Sequence, residues 1–223
     1  MKTMKSLFFC FAILFIASCE TDDENTMDTA EEMDIEEIGF FNLRVGNIWT
    51  YEYFEREQFN DPLSDFISTG TTEVREVIER IFLDDETIYT IEVRSSFGEN
   101  DFLSEFDQEV ATYQVKDSLG YLVRINEGLQ FSSENDEEYI KSSLGGIGDV
   151  LGILLQDLET VETTAGAFNC TVNEFFVGPD GEAPGREHSL MAEEIGEVLY
   201  RTSFVSNPLH IVERRLISFD FPE

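Results

Sequence analysis

Reactive side chains are scarce in this 223-residue chain, which carries three cysteines and two histidines among 47 acids. With so many carboxylates, close pairs arise by chance. Asp84-Asp85-Glu86 reads as a solvated turn rather than an acid/base pair, because such work needs carboxyls in contrasting environments. Glu134-Asn135-Asp136-Glu137-Glu138 offers oxygens to calcium but lacks the regular spacing of an EF-hand loop. His188 follows a charged loop and His210 opens a strand after Pro208, and no Cys/His spacing suits zinc. Leu144-Gly145-Gly146-Ile147-Gly148 lacks the lysine of a phosphate loop, and no Gly-x-Ser-x-Gly elbow or dinucleotide fingerprint occurs. Cys170 sits in the alternating run Phe168–Val172 with nothing beside it to lower its pKa, which predicts a buried, inert thiol. Trp49, Tyr51 and Tyr53 share one face of a strand, as a binding stripe or, more simply, as the packed side of a sheet. No catalytic residue, metal site or cofactor is expected, so the chain reads as a non-enzyme.

The remaining chemistry lies at the N-terminus. Met1 to Lys5 is basic, and an apolar run from Leu7 to Ala17 follows. As a helix that run reaches about 16 Å, near half of a hydrocarbon core, which is the size of a signal-peptide core rather than a span. Ile16-Ala17-Ser18-Cys19 resembles the bacterial lipobox. The resemblance implies cleavage between Ser18 and Cys19 and a diacylglyceryl group on the Cys19 thiol. Each buried methylene contributes roughly 0.8 kcal/mol, so two or three acyl chains make an effectively permanent anchor. Cys10 is apolar filler within the signal, and with Cys19 lipidated, Cys170 has no disulfide partner.

From Glu20 to Ile38 ten of nineteen residues are acidic and none is basic, the composition of an extended, disordered tether. Its maximum reach is on the order of 65 Å. Cys19-Glu20-Thr21-Asp22-Asp23-Glu24 resembles an acidic surface-export signal, which implies an outer-membrane lipoprotein at the cell surface rather than facing the periplasm. The chain thus divides into a signal (1–18), a lipidated cysteine and tether (19–38) and one domain (39–223). Its net charge of −33 repels phosphate backbones and anionic headgroups, which excludes nucleic acid as a partner.

Those elements must be positioned by a fold, and the domain reads mainly as strands. Ile48–Glu57 and Thr87–Arg94 alternate, while Val110–Lys116 and Tyr121–Asn126 form a hairpin. Glu159–Thr164 and Ala167–Phe176 flank a turn at Ala165-Gly166, and Glu197–Val205 pairs with His210–Phe219. Thr71–Leu83 has helical spacing, but its β-branched content and the turn after it favour a strand. Gly146–Leu158 places Ile147, Val150, Leu151, Leu154, Leu155 and Leu158 along one helical face, weakened by Gly148 and Gly152. Glu99–Phe106, Phe131–Glu138 and Gly178–Gly185 read as loops. The expected fold is a curved antiparallel sheet, a half-barrel or open barrel, with one or two short helices on its concave face.

Three stretches carry a family resemblance. Asn42-Leu43-Arg44-Val45-Gly46-Asn47-Ile48-Trp49-Thr50-Tyr51 resembles the opening P-L-K-V-G-N-x-W-x-Y strand of small Bacteroidetes-type surface lipoproteins of unassigned function. Glu162–Cys170 resembles their T-P-A-G-T-F-x-C turn and strand, and Glu193–Val198 their G-V-G-L-V strand opening. This chain departs from the pattern at Asn42, where proline is usual, and at Glu197, where an apolar residue is common. The resemblance implies a LolA-like half-barrel with an apolar cavity for acyl chains or another hydrophobic ligand. Two functions are compatible with all this: an anchored envelope lipoprotein holding a hydrophobic ligand in the sheet's concavity, or a surface module binding a protein or glycan.

Overall fold

The computed structural model describes residues 39–83, 86–98, 110–145, 148–178 and 183–222. Cys19 and the tether lie outside them, as do Asp84, Asp85 and the loop expected at Glu99–Phe106. The chain divides into Met1–Glu36 and Glu37–Glu223, and everything that follows concerns the second unit.

Among the described residues, twelve strands form one antiparallel sheet. They are β1 (Ile48–Arg56), β2 (Phe66–Leu83), β3 (Glu86–Ser96), β4 (Val110–Ser118), β5 (Tyr121–Arg124) and β6 (Gly128–Ser132), then β7 (Tyr139–Leu144), β8 (Gly148–Thr163), β9 (Gly166–Val177), β10 (Glu187–Ala192), β11 (Gly196–Ser203) and β12 (His210–Asp220). Every neighbour is consecutive in sequence except β12, which returns to pair with β1 through Trp49↔Phe219 and Tyr53↔Arg214. The order therefore runs from β6 through β1 and β12 to β7, and the sheet curls until those two ends approach. A side chain built at Gly128 of β6 would lie 3.8 Å from the Lys141 carbonyl of β7, although no ladder joins the two strands. The result is a nearly closed barrel rather than the expected half-barrel or open barrel.

The expected helices are the clearest correction: among the described residues there is none. Gly148–Leu158 belongs to β8, paired with β7 and β9. Its glycines, which weaken the helical reading, are required by the sheet. Gly152 faces inward beside two rings, and a Cβ there would meet Tyr139 Cζ at 2.6 Å and Phe175 Cε1 at 2.9 Å. Both neighbouring strands thus press aromatic rings onto its bare backbone. Phe131 and Ser132, expected in a loop, instead end β6 and are fully buried. Thr71–Leu83 is strand, as its β-branched content favoured.

Alternation along β1 puts Trp49 and Tyr51 into the core with Val77, Tyr89, Ile91, Val115 and Leu216 from neighbouring strands. The segment before β1 caps one end of the barrel, where Phe40, Phe41 and Leu43 pack on Phe131 and Met191. Asn42 sits there at φ 43°, a conformation open to asparagine and closed to proline, and its amide donates to the Glu194 carbonyl at 2.7 Å. Trp49 Nε1 donates to the Ile195 carbonyl at 2.6 Å across the face of Gly196, fixing the same cap.

One hairpin leaves the barrel wall. The β8–β9 register slips between Leu155 and Glu159, and beyond that bulge the hairpin tip reaches β11 and β12. Arg201 bonds Glu159 at 2.6 Å, Thr164 Oγ1 contacts the Ile217 carbonyl at 3.4 Å, and Phe168 meets the Phe219 ring. Leu190 and Leu199 are buried on this face, opposite their strand neighbours Ser189 and Tyr200, which face the lumen.

Candidate functional site

The barrel is not filled to its centre. A cavity of about 290 Å³ is walled by β2, β4, β5, β6, β7 and β9 to β12, and its lining includes Arg75, Arg124, Lys141 and Arg214. In a chain of net charge −33, four cations on one cavity wall are a concentration that composition does not predict. The apolar trough implied by the half-barrel resemblance is not what the described residues of this lumen present.

Two of the cations belong to a buried quartet. Arg75 Nε contacts Glu73 Oε1 at 2.7 Å, and Arg214 Nη2 contacts Glu197 Oε1 at 2.6 Å. Longer cross-contacts of 3.6 Å (Arg75 to Glu197) and 3.7 Å (Arg214 to Glu73) complete the square. The two carboxylates expose 9% of their side chains and the arginines 16% and 15%, so water screens these pairs poorly. Burial alone would raise the Glu73 carboxyl, but Arg75 and Arg214 outweigh it and, with the Tyr53 hydroxyl, hold it near 2.

Tyrosines line this machinery. Tyr53 donates to Glu73 Oε2 at 2.8 Å and accepts from Arg214 Nη1 at 3.2 Å, while the Tyr51 hydroxyl donates to the Glu197 carbonyl. Arg75 lies 4.8 Å from the Tyr51 ring centre and Arg214 5.1 Å from that of Tyr200. Burial pushes the hydroxyls of Tyr51 and Tyr200 well above their usual range, so neither ionises as a nucleophile near neutral pH. The aromatic stripe of β1 is therefore core packing and, at its polar tips, the wall behind the site.

The other two cations are held by rings. Lys141 Nζ sits 3.9 Å from the centre of Phe175 and Arg124 4.3 Å from that of Tyr113. Their carboxylate partners are Glu187, 2.9 Å from Lys141 and also bonded by Tyr200, and the outer-lying Glu127, 3.0 Å from Arg124.

The two histidines and Cys170 singled out from sequence lie elsewhere. His188 and His210 come together with ring centres 4.8 Å apart, away from the lumen lining, and His188 Nε2 meets Glu174 Oε2 at 3.0 Å. Burial, then His188, Arg201 and Arg56, pushes His210 down to about 4, so it is neutral at ordinary pH. Cys170 is fully buried and burial raises its thiol to about 12. Among the described residues no group of three or more His, Cys, Asp or Glu side chains could hold a metal ion.

Sequence reasoning missed Glu73, Arg75, Lys141 and Arg214. The one available signal was Glu197, a carboxylate where the resembling family has an apolar residue, and it lies at the centre of the quartet.

No protein-family model matches the chain, and no curated protein does. Two solved structures share its fold. A protein of Bacteroides fragilis NCTC 9343, described as exported and as having a YmcC-like fold, is 13% identical. It superposes with a TM-score of 0.50 over 83% of this chain and all of its own. A protein of Parabacteroides distasonis ATCC 8503, described as a lipoprotein, is 10% identical, with a TM-score of 0.51 over 82% of this chain and 99% of its own. At such identities the likeness concerns the fold alone.

Proposed function

We propose that this chain is a non-enzymatic envelope lipoprotein, anchored to the outer membrane through Cys19 at the cell surface, whose barrel is a receptor for a small molecule. The observation that carries the receptor reading is the 290 Å³ lumen with its buried, geometrically fixed polar wall. A purely structural barrel gains stability by filling such a space with apolar side chains, whereas this one keeps charges there at a desolvation cost. The anchor reading is supported by the lipobox and acidic tether, and by a fold shared with proteins described as exported and as a lipoprotein. The polar lining favours a polar ligand over the acyl chain that a half-barrel implies.

Labelling cells with an alkyne fatty acid tests the anchor: the wild type is expected to label and fractionate with membranes, and Cys19→Ala to do neither. An unlabelled wild type would remove the anchor. Native mass spectrometry of the purified lipoprotein, with and without denaturing extraction, tests the receptor through a reproducible small-molecule mass released only on unfolding.

A second reading is favoured by one feature. Phe59 and Leu63 in the β1–β2 loop and Phe204 and Val205 in the β11–β12 loop are exposed at the same barrel end, with the two phenylalanine rings 6.4 Å apart. Apolar loops grouped in this way suit a protein partner at the surface. Phe59→Ser with Phe204→Ser would abolish capture of that partner while leaving small-molecule uptake intact.

A further inference from the structure

We infer that the lumen selects a compact organic anion, a carboxylate or phosphate carried on an apolar or aromatic body; this rests on the receptor reading above. Of the four carboxylates that partner the cavity's four cations only Glu197, which Arg214 engages through two bonds, lines the space itself; Glu73, Glu187 and Glu127 stand behind Arg75, Lys141 and Arg124. Lys141 and Arg124 are positioned by ring faces. Beyond the ring faces each makes one carboxylate contact, Lys141 to Glu187 and Arg124 to Glu127, and the remaining N–H donors of both are left for a ligand. Arg124 Nε is buried with no hydrogen-bond partner among the described residues, a cost that an anion would relieve.

The rest of the wall defines the body of the ligand. Leu122, Met191 and the Phe175 ring give an apolar side, while Gln130 and Ser189 add neutral polar groups. At about 290 Å³ the space lies at the lower limit of ligand pockets, which suits a molecule built on a single ring or short chain. The acid surplus of the whole chain repels small anions, whereas in the lumen every cation is matched by a carboxylate and there buried donors face an enclosed space.

The experiment is calorimetric titration of the purified full lipoprotein with benzoate and phenyl phosphate, against uncharged benzyl alcohol and uncharged, apolar dodecanol. At least one aromatic anion is expected to bind, with benzyl alcohol weaker by roughly tenfold or more. Which of the two binds better identifies the head group. Lys141→Gln and Arg124→Gln, each removing a charge from a partly exposed site, are expected to weaken anion binding roughly tenfold, and Lys141→Arg to retain it. Equal affinity for benzyl alcohol, or unchanged anion affinity in both glutamine variants with native circular dichroism, would overturn the assignment. Gln130→Trp, which narrows the lumen, separates the two levels of the argument. Loss of dodecanol or benzyl alcohol binding in that variant, with no anion bound by the wild type, sinks the anion and keeps the receptor. No binding of any probe, or binding that Gln130→Trp leaves untouched, sinks both.

Discussion

Asn173 of β9 closes the barrel against Ser132 of β6. Its carboxamide oxygen accepts from the Ser132 N–H at 2.8 Å and its nitrogen donates to the Ser132 carbonyl at 2.7 Å, the pair of bonds a neighbouring strand would make. The Tyr139 hydroxyl donates to the same oxygen at 2.6 Å. A side chain thus stitches the sheet where β6 and β7 do not form a ladder.

Replacing Asn173 with leucine is expected to cost about 3 kcal/mol or more. It orphans a buried N–H and a buried carbonyl, each worth about 1–3 kcal/mol unsatisfied. Urea unfolding measures this directly, and a loss below about 1 kcal/mol would mean that the seam is not held by this amide.

Removing one member of the lumen quartet should hurt more than removing a pair. Glu197→Gln leaves Arg214 without its closest anion and is expected to destabilise by about 3–5 kcal/mol. Glu197→Leu combined with Arg214→Met should recover most of that loss. A double-mutant cycle with no coupling between the two positions would contradict the geometry.

Acid should unfold the barrel in two windows. The folded pKa of His210 lies at about 4, below its ordinary 6.5. Its contribution is full above 6.5 and lost as pH falls from there through 4, because the unfolded chain takes up the proton first. Glu73 is held near 2 against an ordinary 4.5, so its contribution is full above 4.5 and lost as pH falls through 2. Melting temperatures recorded from pH 7 to pH 3 should show both declines. His210→Phe is expected to flatten only the upper one; if it leaves the profile unchanged, His210 is not buried neutral.

Gly152→Ala distinguishes strand from helix at the segment where the two patterns compete. In a helix interior the change would stabilise by about 1 kcal/mol. Against the rings of Tyr139 and Phe175, its Cβ contacts of 2.6 and 2.9 Å predict destabilisation of roughly 1–3 kcal/mol. The sign of the shift in denaturation midpoint decides.

Much of the strand content was legible because alternation is local. Trp49 and Tyr51 fall inward, and the hairpins β4–β5 and β11–β12 stand where turn residues put them. Gly148–Leu158 was misread because a strand bordered on both sides by sheet, with aromatic rings on one face and a bulge at residues 156–158, need not alternate. Its apolar run then coincides with a helical period.

The candidate site was almost invisible, and one pattern shows why. Glu73-x-Arg75, Glu92-x-Arg94 and Glu213-x-Arg215 are the same motif, each a close ion pair of residues two apart on one strand face. Arg94 is half exposed and Arg215 about a third, yet Arg75 lies in the lumen beside Glu197. By itself the chain's residue order determined β-richness, the acidic N-terminal stretch, the lipobox resemblance and the scarcity of reactive groups, since these depend on composition and neighbours in sequence. Only the tertiary structure decided which charged face turned inward. That choice follows from the return of β12 to β1, which sets Arg214 opposite Tyr53 and within reach of Glu197 and Glu73. The partners lie far apart along the chain, and curvature of the whole sheet, rather than any local propensity, brings them together.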